Sequence, residues 1–215
     1  PQRCDIAPLL GALAGGRALT ATWEHLVLEL PPEALVTTPS LAFLCTWGRW
    51  HLDRRQRLEL RGPDEALGYP ARMDLLKHLG IPFDSGHRLA EAGRFIPLRL
   101  IRDGDAVFEA VNAICDLIAH QFDNAREFLP AAEWAANEII DNILIHAESP
   151  APGAVCAQYF PQRHRLDFAI CDIGRGIKAS LATSHPVATH AEAIRTALQR
   201  GVTRDQEVGQ GDRKS

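Results

Sequence analysis

LPAAEWAANEIIDNILIHA, Leu129–Ala147, is the stretch on which the reading of the fold turns. Advancing 100° per residue from Glu138, Asn142 falls about 40° away and His146 about 80° away, so three polar side chains share one helical face. Ala132, Ala136, Ile139, Ile140, Ile143 and Ala147 gather on the other side, the pattern of a core-facing stripe. Pro130 suits a first helical position, and Ser149-Pro150 with Pro152-Gly153 supplies a stop, so a helix is expected over 130–147. On its outer face Asn142 can lend an oxygen to a hydrated cation, and Glu138 can accept a proton from water. Most amphipathic helices carry a merely solvated polar face, so this helix alone does not decide between the two readings.

Downstream, AVCAQYF (154–160) and LDFAICDIG (166–174) flank PQRHR and read as a hairpin. Leu166, Phe168 and Ile170 alternate with smaller or polar residues and are expected to face a core. The second strand runs out into Asp172-Ile173-Gly174-Arg175-Gly176, where a carboxylate can accept a hydrogen bond from an exocyclic amine. Two glycines there let the backbone pass close to a flat ring, although Asp and Gly are also ordinary turn formers. HAEAIRTALQR (190–200) is amphipathic, and the polar tail that follows holds Gly201-Val202-Thr203 and Gly209-Gln210-Gly211. Glycine-rich backbone of that kind can wrap phosphates or simply be flexible.

Upstream, AVFEAVNAICDLIAHQFDN (106–124) is a strong helix with an apolar stripe, and Asp103-Gly104-Asp105 reads as a turn and a domain boundary. HLVLEL, RLELRGP and FIPLRLI read as short strands. Between the first two a helix starts at Thr38-Pro39-Ser40, with Thr38 or Ser40 as cap, and Asp64 is expected to cap EALGYPARMDLLKHLG. This alternation implies a small α/β unit over 1–103, followed by a second domain over 104–215.

The 215 residues carry a net charge of −4, which supplies no global attraction to nucleic acid or an anionic membrane. No run approaches the roughly 18 to 20 apolar residues needed to cross a bilayer, and the apolar segment at 7–16 is too short and too poorly flanked to read as an export signal. Five scattered cysteines without a CxxC pair indicate neither a zinc site nor a disulfide framework, and a reducing cytoplasm is the simplest setting. His120 lacks the flanking glutamate and later proline of a phosphoaccepting histidine helix and reads as a surface residue. His146 has no partner at metal-ligand spacing.

Taken in order, ExxDN on a helix, DxGxG at a strand end, and GVT then GxG after an amphipathic helix resemble the ATP-binding domain of the GHKL superfamily. That superfamily takes in DNA gyrase, a heat-shock chaperone, sensor histidine kinases and a mismatch-repair ATPase. The resemblance covers Asp105–Gly211. Glu138, Asp141, Asn142 and His146, standing as E-I-I-D-N-I-L-I-H, are most similar to the anti-sigma-factor serine kinases and their relatives. It implies an α/β fold of the GHKL type, an α+β two-layer sandwich. It also implies that Asn142 coordinates Mg²⁺ bridging nucleotide phosphates and that Glu138 polarises a water or acceptor hydroxyl. Asp172 would bind the adenine amine, Gly174 and Gly176 would shape the base pocket, and Thr203, Gly209 and Gly211 would belong to the lid and phosphate loop. Arg204, Arg213 and Lys214 could touch phosphates or merely solvate a lid.

Members of the superfamily continue past the second glycine box with a helix and further strands, whereas Gly211 here is followed by Asp212–Ser215, so the domain is expected to be C-terminally incomplete. In layout the first hundred residues resemble the sulfate-transporter and anti-sigma-antagonist (STAS) domains. The carriers are LVLEL, TPSLAFL and GYPARMDLLKHLG, without the acidic-serine-serine-glycine phosphoacceptor pattern. The implied function is a Mg-ATP-binding signalling protein that hydrolyses ATP or phosphorylates a partner protein on Ser or Thr. The alternative is an ATP-switched interaction module without useful catalysis, and a third reading is a scaffold with a dead site. A regulatory protein docked through the N-terminal unit, and a second copy of the chain, are the implied partners.

Overall fold

The computed structural model describes residues 3–4, 24–83, 93–182 and 184–199. In chain order they form β1 (Arg3–Cys4), β2 (His25–Glu29), β3 (Leu35–Val36), α1 (Thr38–Asp53), β4 (Arg57–Arg61), α2 (Asp64–Arg72), α3 (Leu75–His78), β5 (Phe95–Ile101), α4 (Gly104–Gln121) and α5 (Ala125–Ile145). Then come β6 (Gly153–Phe160), a 3₁₀ turn at Pro161–Arg163, β7 (Arg165–Cys171), α6 (Gly176–Leu181) and α7 (His190–Ala197). The protein is of mixed α/β class, as the alternating sequence pattern implies. Among the described residues no helix is long and apolar enough to cross a membrane.

β5, β6 and β7 make one antiparallel sheet in that order. Phe95–Ile101, grouped on sequence with the N-terminal unit, is therefore paired with a strand from the other side of the boundary expected at 103. The alternation of β6 divides it cleanly. Val155, Ala157 and Tyr159 join Ile96, Ile101 and the apolar stripes of α4 and α5 in one core, while Ala154 and Cys156 join Leu98, Ala169 and α1 in the other. β5 serves both cores because Pro97 and Leu98 together oppose Cys156, a bulge that resets the alternation.

The face of the sheet that a two-layer sandwich would leave open is covered by α1. Every residue from Ser40 to Gly48 in that helix is buried. A Cβ on Gly48 would lie 2.5 Å from a Leu79 methyl and 2.9 Å from one of Leu58, so α3 and β4 close over its far side. β4 pairs in parallel with β2, and β3 with β1. Thr37, not Thr38 or Ser40, caps α1; its Oγ1 accepts from the Ser40 amide at 3.4 Å.

Four further differences from the sequence reading have identifiable causes. Asp64 is the first residue of α2, and Pro63 precedes it without a side-chain cap. The single helix expected over 65–80 breaks at Met73-Asp74, where Asp74 adopts φ +62° and the Met73 carbonyl accepts from the Leu98 amide of the bulge at 3.0 Å. Asp103, read as part of a turn, caps α4 by accepting from the Ala106 amide at 2.9 Å. α5 begins at Ala125, so Pro130 stands inside it instead of at its start. Burial of Ala125 and an edge-on cluster of Phe122 with Phe128 and Tyr159, at 5.8 and 5.3 Å, hold the extra turn despite the missing N–H.

Candidate functional site

The inner face of α5 is Ala136, Ile140 and Ile143, with Ala147 just beyond. Ile139, expected in that stripe, is 46% exposed, because it lies at the stripe's margin, 100° from Glu138. Glu138 and Asn142 are both exposed on the outer face, and Asp141 and His146 are half-buried, with His146 Nδ1 shielded from solvent. Trp134 and Ile145 also emerge on that side of the wheel. The candidate face therefore has an apolar component that the polar-face reading of the sequence left out.

The end of this helix is seated on the hairpin. A Cβ on Gly153 would stand 2.7 Å from Ile143 Cδ1 and 3.0 Å from the Cys171 carbonyl, so the start of β6 is a platform into which Ile143 fits. His146 and Ala147 both donate to the Asn142 carbonyl at 3.0 Å, closing the last turn. The next carbonyl along, Ala147 O, accepts from the Arg175 amide at 2.8 Å. The Arg175 guanidinium donates to Glu148 Oε1 and to the Ala179 carbonyl, each at 2.9 Å. The last turn of α5 and the loop 172–176 thus meet at one corner of the sheet.

Within that loop the two glycines have different jobs. A Cβ on Gly174 would lie 2.1 Å from Ala147 O, a backbone atom that cannot yield, so the missing side chain is accounted for by the helix behind it. Gly176 opens α6 with φ +75°, and a Cβ there would meet nothing within 4 Å. The space that a flat ring would need is in front of Gly176, not of Gly174. Asp172 is exposed; its Oδ1 accepts from the Gly174 amide at 2.7 Å, the turn-capping role weighed on sequence. Oδ2 has no hydrogen-bond partner among the described residues and faces solvent.

Along the axis of α5, Asn142 lies about 7.5 Å and Glu138 about 13.5 Å before Ala147, at 1.5 Å per residue. Thr203, Gly209 and Gly211, with Arg204, Arg213 and Lys214, lie outside the described residues. Among the described residues no group of three or more His, Cys, Asp or Glu side chains could hold a metal ion. Mg²⁺ bridging phosphates does not require one, since it keeps several waters and takes one or two protein oxygens.

His120 is exposed on α4, its Nδ1 bonded to the Asp116 carbonyl at 2.6 Å, as a surface histidine would be. Of the hairpin face expected in a core, Leu166 and Ile170 are half-buried and Phe168 is 43% exposed, because β7 is an edge strand and α4 and α5 pack mainly over β5 and β6. The contribution of Arg175 was not legible in DIGRG, and α6 was not expected at all; Gly176 at a helix start was the available signal. No protein-family model, curated protein or solved structure matches the chain.

Proposed function

We propose that the chain is a Mg-ATP-binding signalling protein of the GHKL type, in which α5 and the DIGRG loop form one nucleotide cleft. The observation that carries this reading is the junction of the two motifs: Arg175 N–H to Ala147 O at 2.8 Å, with Gly174 pressed against Ala147. Two stretches separated by thirty residues of sequence, each weak alone, are neighbours in space.

In this reading Asp172 Oδ2 accepts from the exocyclic amine of the base, and the open side of Gly176 receives the ring. Asn142 lends its carboxamide oxygen to magnesium. The bound ion would neutralise phosphate charge. Glu138, one turn before Asn142, accepts a proton from water or from a partner's Ser or Thr hydroxyl, a contribution of about 10²- to 10⁴-fold. Hydrolysis and protein phosphorylation both use that one carboxylate, and the site geometry is common to both.

Titrating labelled ATP into the chain with and without Mg²⁺ tests binding, and absence of Mg-dependent uptake overturns the reading. Glu138→Ala should then slow phosphate release by about 10²- to 10⁴-fold with ATP affinity nearly intact. The alternative, an ATP-switched interaction module, is favoured by one feature: α1 lies on the back of β6 and β7. The N-terminal elements, which we assign the STAS-like docking role, touch the same hairpin that ends at Asp172. Nucleotide would bias such a switch only through different affinities for two states. Tight ADP and ATP binding without phosphate release selects it.

A further inference from the structure

At the opposite end of the hairpin from Asp172, a cleft of about 450 Å³ opens between the tip of β6–β7, β3, and the starts of α1 and α2. Its walls are mainly apolar, with Leu35, Val36, Pro39, Ala66 and Phe160 among them. Tyr69 and Gln158 close one side, the phenol donating to Gln158 Oε1 at 2.5 Å. Burial pushes the Tyr69 phenol well above its ordinary range, so it remains a neutral donor already engaged.

The charges around this cleft are unevenly satisfied. Arg165 donates to Asp167 at 2.6 Å and lies 5.3 Å over the Phe160 ring. Arg163 has no acidic partner among the described residues. The sixteen-residue α1 points its start at the cleft, and its first turn contains no acidic residue to offset the positive end of the helix. Thr38, in that first turn and in the cleft wall, is 3% exposed, and its Oγ1 is buried without a hydrogen-bond partner among the described residues. A buried hydroxyl without an acceptor is uncommon and calls for a missing one. Glu65 and Asp167 also line the cleft, so its positive potential is confined to Arg163 and the start of α1, room for one anionic group.

We infer that this cleft binds a small organic molecule with one carboxylate and an apolar body, its carboxylate directed to Arg163 and the start of α1. The site stands apart from the nucleotide reading. Arg165 and Cys171 are the two ends of β7, about 20 Å apart at 3.3 Å per residue.

Calorimetric titration of the whole chain with octanoate, octan-1-ol and octyl phosphate tests it. Octanoate should bind saturably at one site. Arg163→Ala, an exposed position whose loss leaves the melting temperature unchanged, should weaken octanoate by about tenfold or more and leave octan-1-ol unaffected. Leu35→Trp, at the half-exposed rim, should block both ligands by filling the cleft. Thr38→Val should raise the melting temperature while weakening octanoate, a pairing that a purely structural hydroxyl would not give. ADP should not compete. The inference is overturned by non-saturable octanoate uptake, by indifference to Arg163→Ala, by tighter binding of octyl phosphate than octanoate, or by competition from ADP.

Discussion

Helices α1 and α5 lie on opposite faces of the same three strands and solve different problems. α1 is enclosed by the sheet on one side and by β4 and α3 on the other, and Trp47 at its middle is 1% exposed. α5 buries one stripe and turns Glu138, Asn142 and Trp134 outward, the last 56% exposed. A helix apolar all round has no surface left for chemistry, and a helix with one wet face can carry it. The comparison also shows where the N-terminal helix packs: α1 is the second layer of a sheet two of whose strands, β6 and β7, come from the far half of the chain.

The largest expected effect separates the two helices directly. Trp47→Ala should cost about 3–5 kcal/mol in urea unfolding, the range for deleting a large buried ring, and Trp134→Ala less than about 1 kcal/mol. Comparable losses from the two would break the comparison. Next is the corner at the end of α5. Gly174→Ala forces a methyl against Ala147 O and should cost about 1–3 kcal/mol. Gly176→Ala meets no atom and should cost about 1 kcal/mol for its positive φ alone, so equal losses would deny the close packing of loop on helix.

Two smaller effects sharpen the α1 side. Thr37→Ala should remove about 1 kcal/mol with the cap, whereas Ala in place of Thr38, whose hydroxyl has no partner among the described residues, should not show a capping loss. Burial lowers the pKa of His51 near the end of α1, against the opposing pull of its bond to Gln56. The unfolded chain therefore takes up the proton first. Its contribution to stability is present above the ordinary histidine pKa of about 6.5 and is lost as pH falls through and below that value. Unfolding curves of the protein and of His51→Gln between pH 7.5 and 5 should converge toward the acid end; parallel curves would contradict it.

What could be read from the chain beforehand follows from range. The β6–β7 hairpin, the stripe of α4 and the outward-facing Glu138 and Asn142 are local patterns and appear where the sequence placed them, whereas Phe168 of the expected core face is exposed and His146 is half-buried. The allegiance of β5 is not local: Phe95 pairs with Gln158, more than sixty residues on, and nothing within FIPLRLI names that partner. The break at Met73-Asp74 has the same origin, since the carbonyl that leaves the helical ladder is claimed by Leu98. For the site, DIGRG disclosed an acid and two glycines, but not that one glycine belongs to the helix behind and the other to open space. The cleft at the hairpin tip left no sequence signature because its lining comes from three distant stretches, 34–39, 65–69 and 158–167.

The bond from Arg175 to Ala147 has one further consequence. It joins the chain to itself just before and just after the β6–β7 hairpin, so residues 147–175 form a closed ring of backbone gathered at its base. Opening fluctuations cannot begin where the ring is tied without also releasing the end of α5. They start at the free tip, around Pro161–Arg165, and run inward. Amide exchange should accordingly grow slower from Arg165 toward Cys171, and the gradient should flatten when Gly174 is replaced.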